Sequence, residues 1–162
     1  MSFLYIFRTA FLVAKRSKAW YNTGVKYLGV DYGDKRVGIA VSYSGILAEG
    51  LTVLQPRSMR DAVDRVAGLC TADTERIIVG LPLNMDGSEG DRASKTRAFG
   101  RVLEKVSGVA VEYFDERLTS IEADGRMIAD GLRRDKRKAI IDKVAAQIIL
   151  QAYLDCNKKQ GE

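Results

Sequence analysis

The 162-residue chain has no histidine, and it carries only two cysteines, two prolines and one tryptophan. Without imidazole there is no Ser-His-Asp triad, no Cys-His pair, no histidine-ligated zinc and no imidazole general base. Cys70 and Cys156 lie far apart and form no C-x-x-C pair, which argues against a zinc site and against a disulfide framework. Both are expected to be free, small, buried apolar residues in a reducing compartment. No apolar run approaches the ~20 residues of a membrane-spanning helix, so no membrane partner is expected. Acid–base or metal chemistry in this chain must rest mainly on carboxylates.

What is present is the composition of one globular domain, 46% apolar and 29% charged over a length that fills a single core. The formal charge of +5 is unevenly placed. Residues 1–24 hold Arg8, Lys15, Arg16 and Lys18 and no acid, which is +4; residues 25–162 hold the other 22 basic residues against 21 acids, which is +1. In the leader 1–24, Arg8 and Lys15 break the apolar runs, and most of the charge follows the apolar stretch instead of preceding it as in a secretory signal. An organellar transit peptide and a disordered or mis-started leader are both open readings. The fold is therefore sought in a domain over 25–158, with 159–162 as a tail. A cytoplasmic location is expected, with an organelle as the alternative if the leader is a transit peptide.

Along the domain, Lys26 to Asp31 reads as a strand that ends in the turn Asp31-Tyr32-Gly33-Asp34. Arg36 to Val41 is a second strand, close enough for a hairpin, and Ile46 to Leu54 a third. Ser58 and Asp61 resemble a capping box for a helix that buries Ala62, Val63, Val66, Ala67 and Cys70. Arg76 to Leu81 is a continuous apolar run, the pattern of a strand covered on both faces. A polar loop from Pro82 to Gly90 leads to a helix over about Asp91–Ser107 that is expected to bury Phe99, Val102, Leu103 and Val106. Val109 to Phe114 is a fifth strand. Thr119 and Glu122 open a short helix to about Ala129, Gly131 to Lys138 is a charged connection, and Ala139 to Cys156 is the last helix.

The order β-β-β-α-β-α-β-α-α predicts an α/β fold, a mixed five-stranded sheet with helices on both faces. In such sheets, sites form beyond the carboxyl ends of the parallel strands. The acids gather there: Asp31 ends the first strand, Asn84 to Asp86 follow the fourth, Asp115-Glu116 end the fifth, and Asp142 stands at the start of the last helix. Val144, Ala145 and Ala146 are small enough to let that helix pack closely against the sheet. Carboxylates crowded into one pocket repel and raise one another's pKa, and hard divalent cations such as Mg²⁺ or Mn²⁺ resolve that conflict. Two such ions about 3.5–4 Å apart serve phosphodiester cleavage without histidine or cysteine. Each acid also has an ordinary use: Asp31 with Gly33 forms turns, Asp115 or Glu116 pairs with Arg117 at the surface, and Asp142 suits a helix N-terminus.

Leu28-Gly29-Val30-Asp31-Tyr32-Gly33, with Arg36 and Gly38, resembles the opening motif of the YqgF family of RNase H-like Holliday junction resolvases. Gly80-Leu81-Pro82-Leu83-Asn84-Met85-Asp86-Gly87 is similar to its central loop. Asp115 to Ser120 resembles its third motif, and Asp142-Lys143-Val144-Ala145-Ala146 with Ile149-Leu150-Gln151 its fourth. The resemblance spans about residues 26–156 in order and spacing. It implies an RNase H-like fold and a metal-dependent nuclease, with maturation of the 5′ end of precursor 16S ribosomal RNA as the assigned activity and Mg²⁺ or Mn²⁺, two ions, as cofactor. It carries the acidic site onto Asp31, Glu116 and Asp142 as catalytic metal ligands, with Asp115 and Asp86 as weaker candidates. It also implies that Arg36, Asn84 and Arg117 contact phosphate or hold the site.

Between Arg126 and Lys143 there are seven basic residues, Arg126, Arg133, Arg134, Lys136, Arg137, Lys138 and Lys143, against Asp130, Asp135 and Asp142, which is +4. Such a cluster supplies salt-dependent phosphate contacts, although a solvated charged loop has the same composition. Arg97, Arg101 and Lys105 recur every four residues and read as a solvated helix face. Tyr32 and Tyr43 are either stacking platforms for bases or ordinary core and surface residues.

Four functions compete. The first is a two-metal nuclease on structured RNA. A resolvase of branched DNA needs a homodimer to cut two strands symmetrically. An actin-like ATPase would need a second glycine-rich lobe, and a non-catalytic nucleic-acid-binding module gains nothing from acids beside phosphates.

Overall fold

The computed structural model describes residues 24–119 and 134–158. The leader apart from Gly24, the helix expected at 120–129, Arg133 and the tail 159–162 lie outside the described residues. The elements are β1 (Lys26–Tyr32), β2 (Val37–Ser42), β3 (Glu49–Leu54), α1 (Met59–Ala67), β4 (Thr74–Leu81), α2 (Asp91–Ser107), β5 (Ala110–Asp115), a 3-10 turn (Glu116–Leu118) and α3 (Arg134–Lys158). They form one five-stranded sheet in the order β3-β2-β1-β4-β5. The first three strands are an antiparallel meander, and β4 and β5 run parallel to β1. The expected mixed α/β sheet is the one observed.

Alternation along the strands separates two cores. Leu28 and Val30 of β1, Ile39 of β2 and Ile77 and Val79 of β4 pack with Val63 and Val66 of α1 and Phe99 and Leu103 of α2. The opposite face sends Ala40 and Ile78 against Ala146, Ile149, Leu150 and Tyr153 of α3. Residues of period two on a strand face opposite ways, so Gly29 and Asp31 point toward α3 while Leu28 and Val30 point away. Glycine is required on that side because the helix lies directly on the strands. A Cβ at Gly29 would stand 2.7 Å from Leu150 Cβ and 2.9 Å from the Ala146 carbonyl oxygen, and one at Gly38 would overlap the Asp142 carbonyl.

Several boundaries differ from expectation. The third strand starts at Glu49, not Ile46. The Ser44 hydroxyl accepts from the amides of Ile46 and Leu47, and Gln151 of α3 binds the Ile46 carbonyl at 3.0 Å and the Ala48 amide at 2.8 Å. Those backbone groups are thereby diverted from a sheet ladder. The last helix starts at Arg134, so much of the charged connection expected up to Lys138 is helical. Arginine and lysine are good helix formers, and Asp142 consequently sits about two turns inside α3 and not at its start. In α2 the buried set is Ala93, Thr96, Phe99, Gly100 and Leu103, while Val106 is exposed. Of the two free cysteines, Cys70 is partly buried and Cys156 is exposed, against the expectation that both are buried.

Candidate active site

Asp31 lies near the carboxyl end of β1, opposite Gly38 of β2, and one residue beyond the Val30–Val79 pair that precedes Gly80 of β4. These two glycines decide what reaches it. Over Gly38 runs the Asp142 backbone of α3. Over Gly80 lies the Glu116 side chain, whose Oε1 stands 2.7 Å from where a Cβ would be. Two missing side chains, one on each flanking strand, thus let a helix and a 3-10 turn bring their carboxylates toward the same strand end.

Electrostatics register the meeting. Burial, then the charges of Glu116 and Asp142, lift the Asp31 carboxyl from 3.8 to about 7, with Arg92 acting in the opposite direction. Asp31 nevertheless keeps a partial opening to solvent. Glu116 is also raised, chiefly by burial, with Arg92 again opposing and Asp115 adding to the shift. Asp142 Oδ2 faces Arg36 Nη1 at 3.5 Å. Both atoms are buried, and neither makes a hydrogen bond. Among the described residues, no three acidic or sulfur side chains already stand at metal-holding distances.

The other expected residues fall elsewhere. Asp115 is engaged by Arg117, which donates Nη2 to Oδ2 at 2.6 Å and Nε to both oxygens at 3.0 Å. Those bonds hold the Asp115 carboxyl below its ordinary range. Arg117 also reaches the carbonyls of Asn84 and Met85 at 3.4 and 3.3 Å, tying the loop after β4 to the end of β5. Asp86 accepts from the Ser88 hydroxyl at 2.6 Å, which lowers its pKa. The exposed side chain of Asn84 donates to Ser88 Oγ at 2.9 Å, inside the same loop. Lys143 lays its stem over Gly50 of β3. Arg134, Lys136, Arg137 and Lys138 lie on the first two turns of α3. Arg97, expected as part of a solvated face, is bound by Glu89 at 2.7 Å and lies over the Tyr113 ring. Tyr32 stacks on Phe99, with ring centroids 4.2 Å apart.

Sequence reasoning missed Arg92 and Lys95, on the first turns of α2. Both line a cleft of about 490 Å³ that also meets Tyr32, Arg36 and Asp142. The signal was thin: the two residues fall outside the four-residue spacing of Arg97, Arg101 and Lys105, and only the fold brings them beside the end of β1.

Comparison with known proteins agrees with this architecture. A protein of Halothermothrix orenii described as "Putative pre-16S rRNA nuclease" is 44% identical over 137 residues, covering 83% of this chain and 98% of its own length. A protein of the same description from Agathobacter rectalis is 40% identical over 136 residues, covering 81% and 95%. The solved structure of T. thermophilus RuvC in complex with Holliday junction substrate superposes with a TM-score of 0.52 at 16% identity, over 83% of this chain and 96% of that one, which is a likeness of fold. The family model described as "RuvX: Holliday junction resolvase" matches residues 25–156, and the chain belongs to that family.

Proposed function

We propose that this chain is a divalent-metal-dependent nuclease that cuts a phosphodiester bond in structured nucleic acid, with precursor 16S ribosomal RNA as its substrate. The observation that carries the reading is the meeting of Glu116 and Asp142 on Asp31, beside a cleft lined by cations. The descriptions of relatives 40% and 44% identical over nearly their whole lengths support the RNA substrate. The family description favours a branched DNA, the second reading, which calls for a homodimer.

The residues present fit a hard cation. Every donor is a carboxylate oxygen, Asp142 Oδ2 is buried with no hydrogen-bond partner, and Asp31 is crowded by two like charges. Asp31, Glu116 and Asp142 would hold Mg²⁺ or Mn²⁺, two ions in this reading, which supply Lewis acidity and a nucleophile at neutral pH. The chain's own side chains do the rest. Gly38 and Gly80 admit the flanking carboxylates, Arg36 orients Asp142, and Arg117 pins the 83–89 loop so that its polar edge frames the pocket. Asp115 and Asp86 are already bound to Arg117 and Ser88, which makes them supports for that frame and not ligands.

The test is cleavage of a precursor 16S fragment against a four-way DNA junction, at matched salt, by wild type and Asp31→Asn. Wild type should cut the RNA in Mg²⁺. Asp31→Asn should abolish turnover with its circular dichroism and RNA binding largely intact. Undiminished turnover by that variant, in a preparation free of contaminating nuclease, sinks the assignment, and preferential cutting of the junction moves it to the second reading.

A further inference from the structure

The cleft beside the carboxylates has its own chemistry. Its walls are the β1–β2 turn, with Tyr32, Lys35 and Arg36, and the first turns of α2, with Arg92 and Lys95; Asp142 of α3 also lines it. Lys35, Arg36, Arg92 and Lys95 stand there against Asp34 and Asp142, four cations to two acids, so the cleft is +2. Their charges are not equally committed. Lys95 donates to Asp34 at 3.2 Å, and both are exposed. Arg36 faces Asp142 without a hydrogen bond.

Lys35 and Arg92 stand apart from these: both are exposed, and neither side chain makes a hydrogen bond or ion pair with a described residue. Of the two, only Arg92 lies within electrostatic range of both Asp31 and Glu116. A guanidinium carries five N–H donors in a planar fork matched to the oxygens of a phosphate. The N-terminal turn of α2 has Gly90 as its cap and no side-chain cap hydrogen bond, so its amides add positive potential on the same wall, partly offset by Asp91 in that turn. Tyr32, also in the lining, has its ring stacked on Phe99.

We infer that this cleft is a phosphodiester subsite, in which Arg92, assisted by Arg36, binds the backbone phosphate next to the one being cut. The substrate strand then runs between the β1–β2 turn and the start of α2 into the acidic pocket. Cations grip the phosphate that stays intact, and carboxylates face the phosphate that reacts. This inference rests on the nuclease reading and names the residue that aligns the strand.

Binding of a fluorescein-labelled precursor 16S fragment, followed by anisotropy over a salt series in EDTA, tests it without turnover. Arg92→Gln should weaken binding about tenfold at low salt and reduce the slope of log affinity against log salt by about 0.7–0.9, one phosphate contact. Arg92→Lys should keep the slope and lose less affinity. Arg101→Gln, exposed on α2 and not among the residues that line the cleft, should change neither. Wild-type slope and affinity in Arg92→Gln, or equal losses in Arg92→Gln and Arg101→Gln, overturn the subsite while leaving the nuclease reading intact. A folded wild type that binds no nucleic acid overturns both.

Discussion

Replacing Gly38 by alanine tests the packing that builds the site. Gly38 is paired with Asp31 across β1 and β2, and α3 crosses above it. A Cβ there would overlap the carbonyl carbon and oxygen of Asp142 and stand 3.4 Å from Ala146 Cβ. The obstacle is backbone, and it has no local escape, because one turn further along the same helix rests on Gly29 with the Ala146 carbonyl oxygen 2.9 Å from a Cβ position. Restoring ordinary contact distances therefore requires α3 to lift or tilt by on the order of 1 Å. Overpacking of this kind costs ~1–3 kcal/mol, partly offset by the ~0.4–1 kcal/mol gained when a glycine leaves the unfolded chain. A net loss of roughly 1–2 kcal/mol lowers the melting temperature by ~2–8 °C for a chain of this size. The displaced helix carries Asp142 with it, and a misplacement of about 1 Å costs on the order of a hundredfold in rate.

Gly50→Ala is the matched control. The three atoms nearest to a Cβ there all belong to the Lys143 side chain, the first at 2.8 Å, which can swing aside. Its stability should stay within ~0.5 kcal/mol of wild type. Thermal unfolding without divalent cations and Mg²⁺-dependent cleavage, measured on both variants, decide the matter. A Gly38→Ala protein that melts and cleaves like wild type, or a Gly50→Ala protein equally impaired, refutes the reasoning.

Further outcomes follow from the same geometry. In the folded chain Asp31 keeps its proton up to about pH 7, whereas the unfolded chain releases it near 3.8. The native state thus binds more protons between those values, and stability should fall as pH rises from about 4 to 7 and then level off. Asp31→Asn should flatten most of that slope, leaving the smaller part due to Glu116, and should be more stable than wild type at pH 8 without divalent ions, by on the order of 1–4 kcal/mol; parallel melting curves against pH would refute this. Added Mn²⁺ should raise the melting temperature of wild type and not of Asp31→Asn. Arg117→Ala should release the loop after β4 and speed amide exchange over residues 83–89, while global stability changes by ~1 kcal/mol or less, since the pair it breaks is partly exposed; unchanged exchange would show that the loop holds itself.

Much of the fold was legible because its rules are local. Strand-like runs ended by turn residues marked the strands, and the apolar run over Ile77 to Leu81 marked a strand covered on both faces, which β4 is. Ser58 was readable as a cap, and its hydroxyl does accept from the Asp61 amide at 3.1 Å. The start of α3 was not readable, because a run of arginine and lysine has the composition of a loop and the propensity of a helix. The start of β3 was not readable either, since Gln151, more than a hundred residues away in sequence, takes the backbone groups of Ile46 and Ala48.

For the site, the chain by itself narrowed the expected chemistry. The absence of histidine and of a cysteine pair pointed mainly to carboxylates, whose motifs stand at strand ends and on a helix near the sheet. The tertiary structure decided which acids meet, which are already engaged, and which cation faces both Asp31 and Glu116. Asp115 and Glu116 are adjacent in sequence, yet one is bound by Arg117 and the other lies over Gly80 toward Asp31. Arg92 had no pattern to mark it until α2 was set beside the end of β1. The physical reason is that a sequence pattern reports the face and end of one element, whereas a site depends on distances between elements. Here those distances are set by the absence of a Cβ at Gly38 and Gly80, which matters only once a neighbour lies against them.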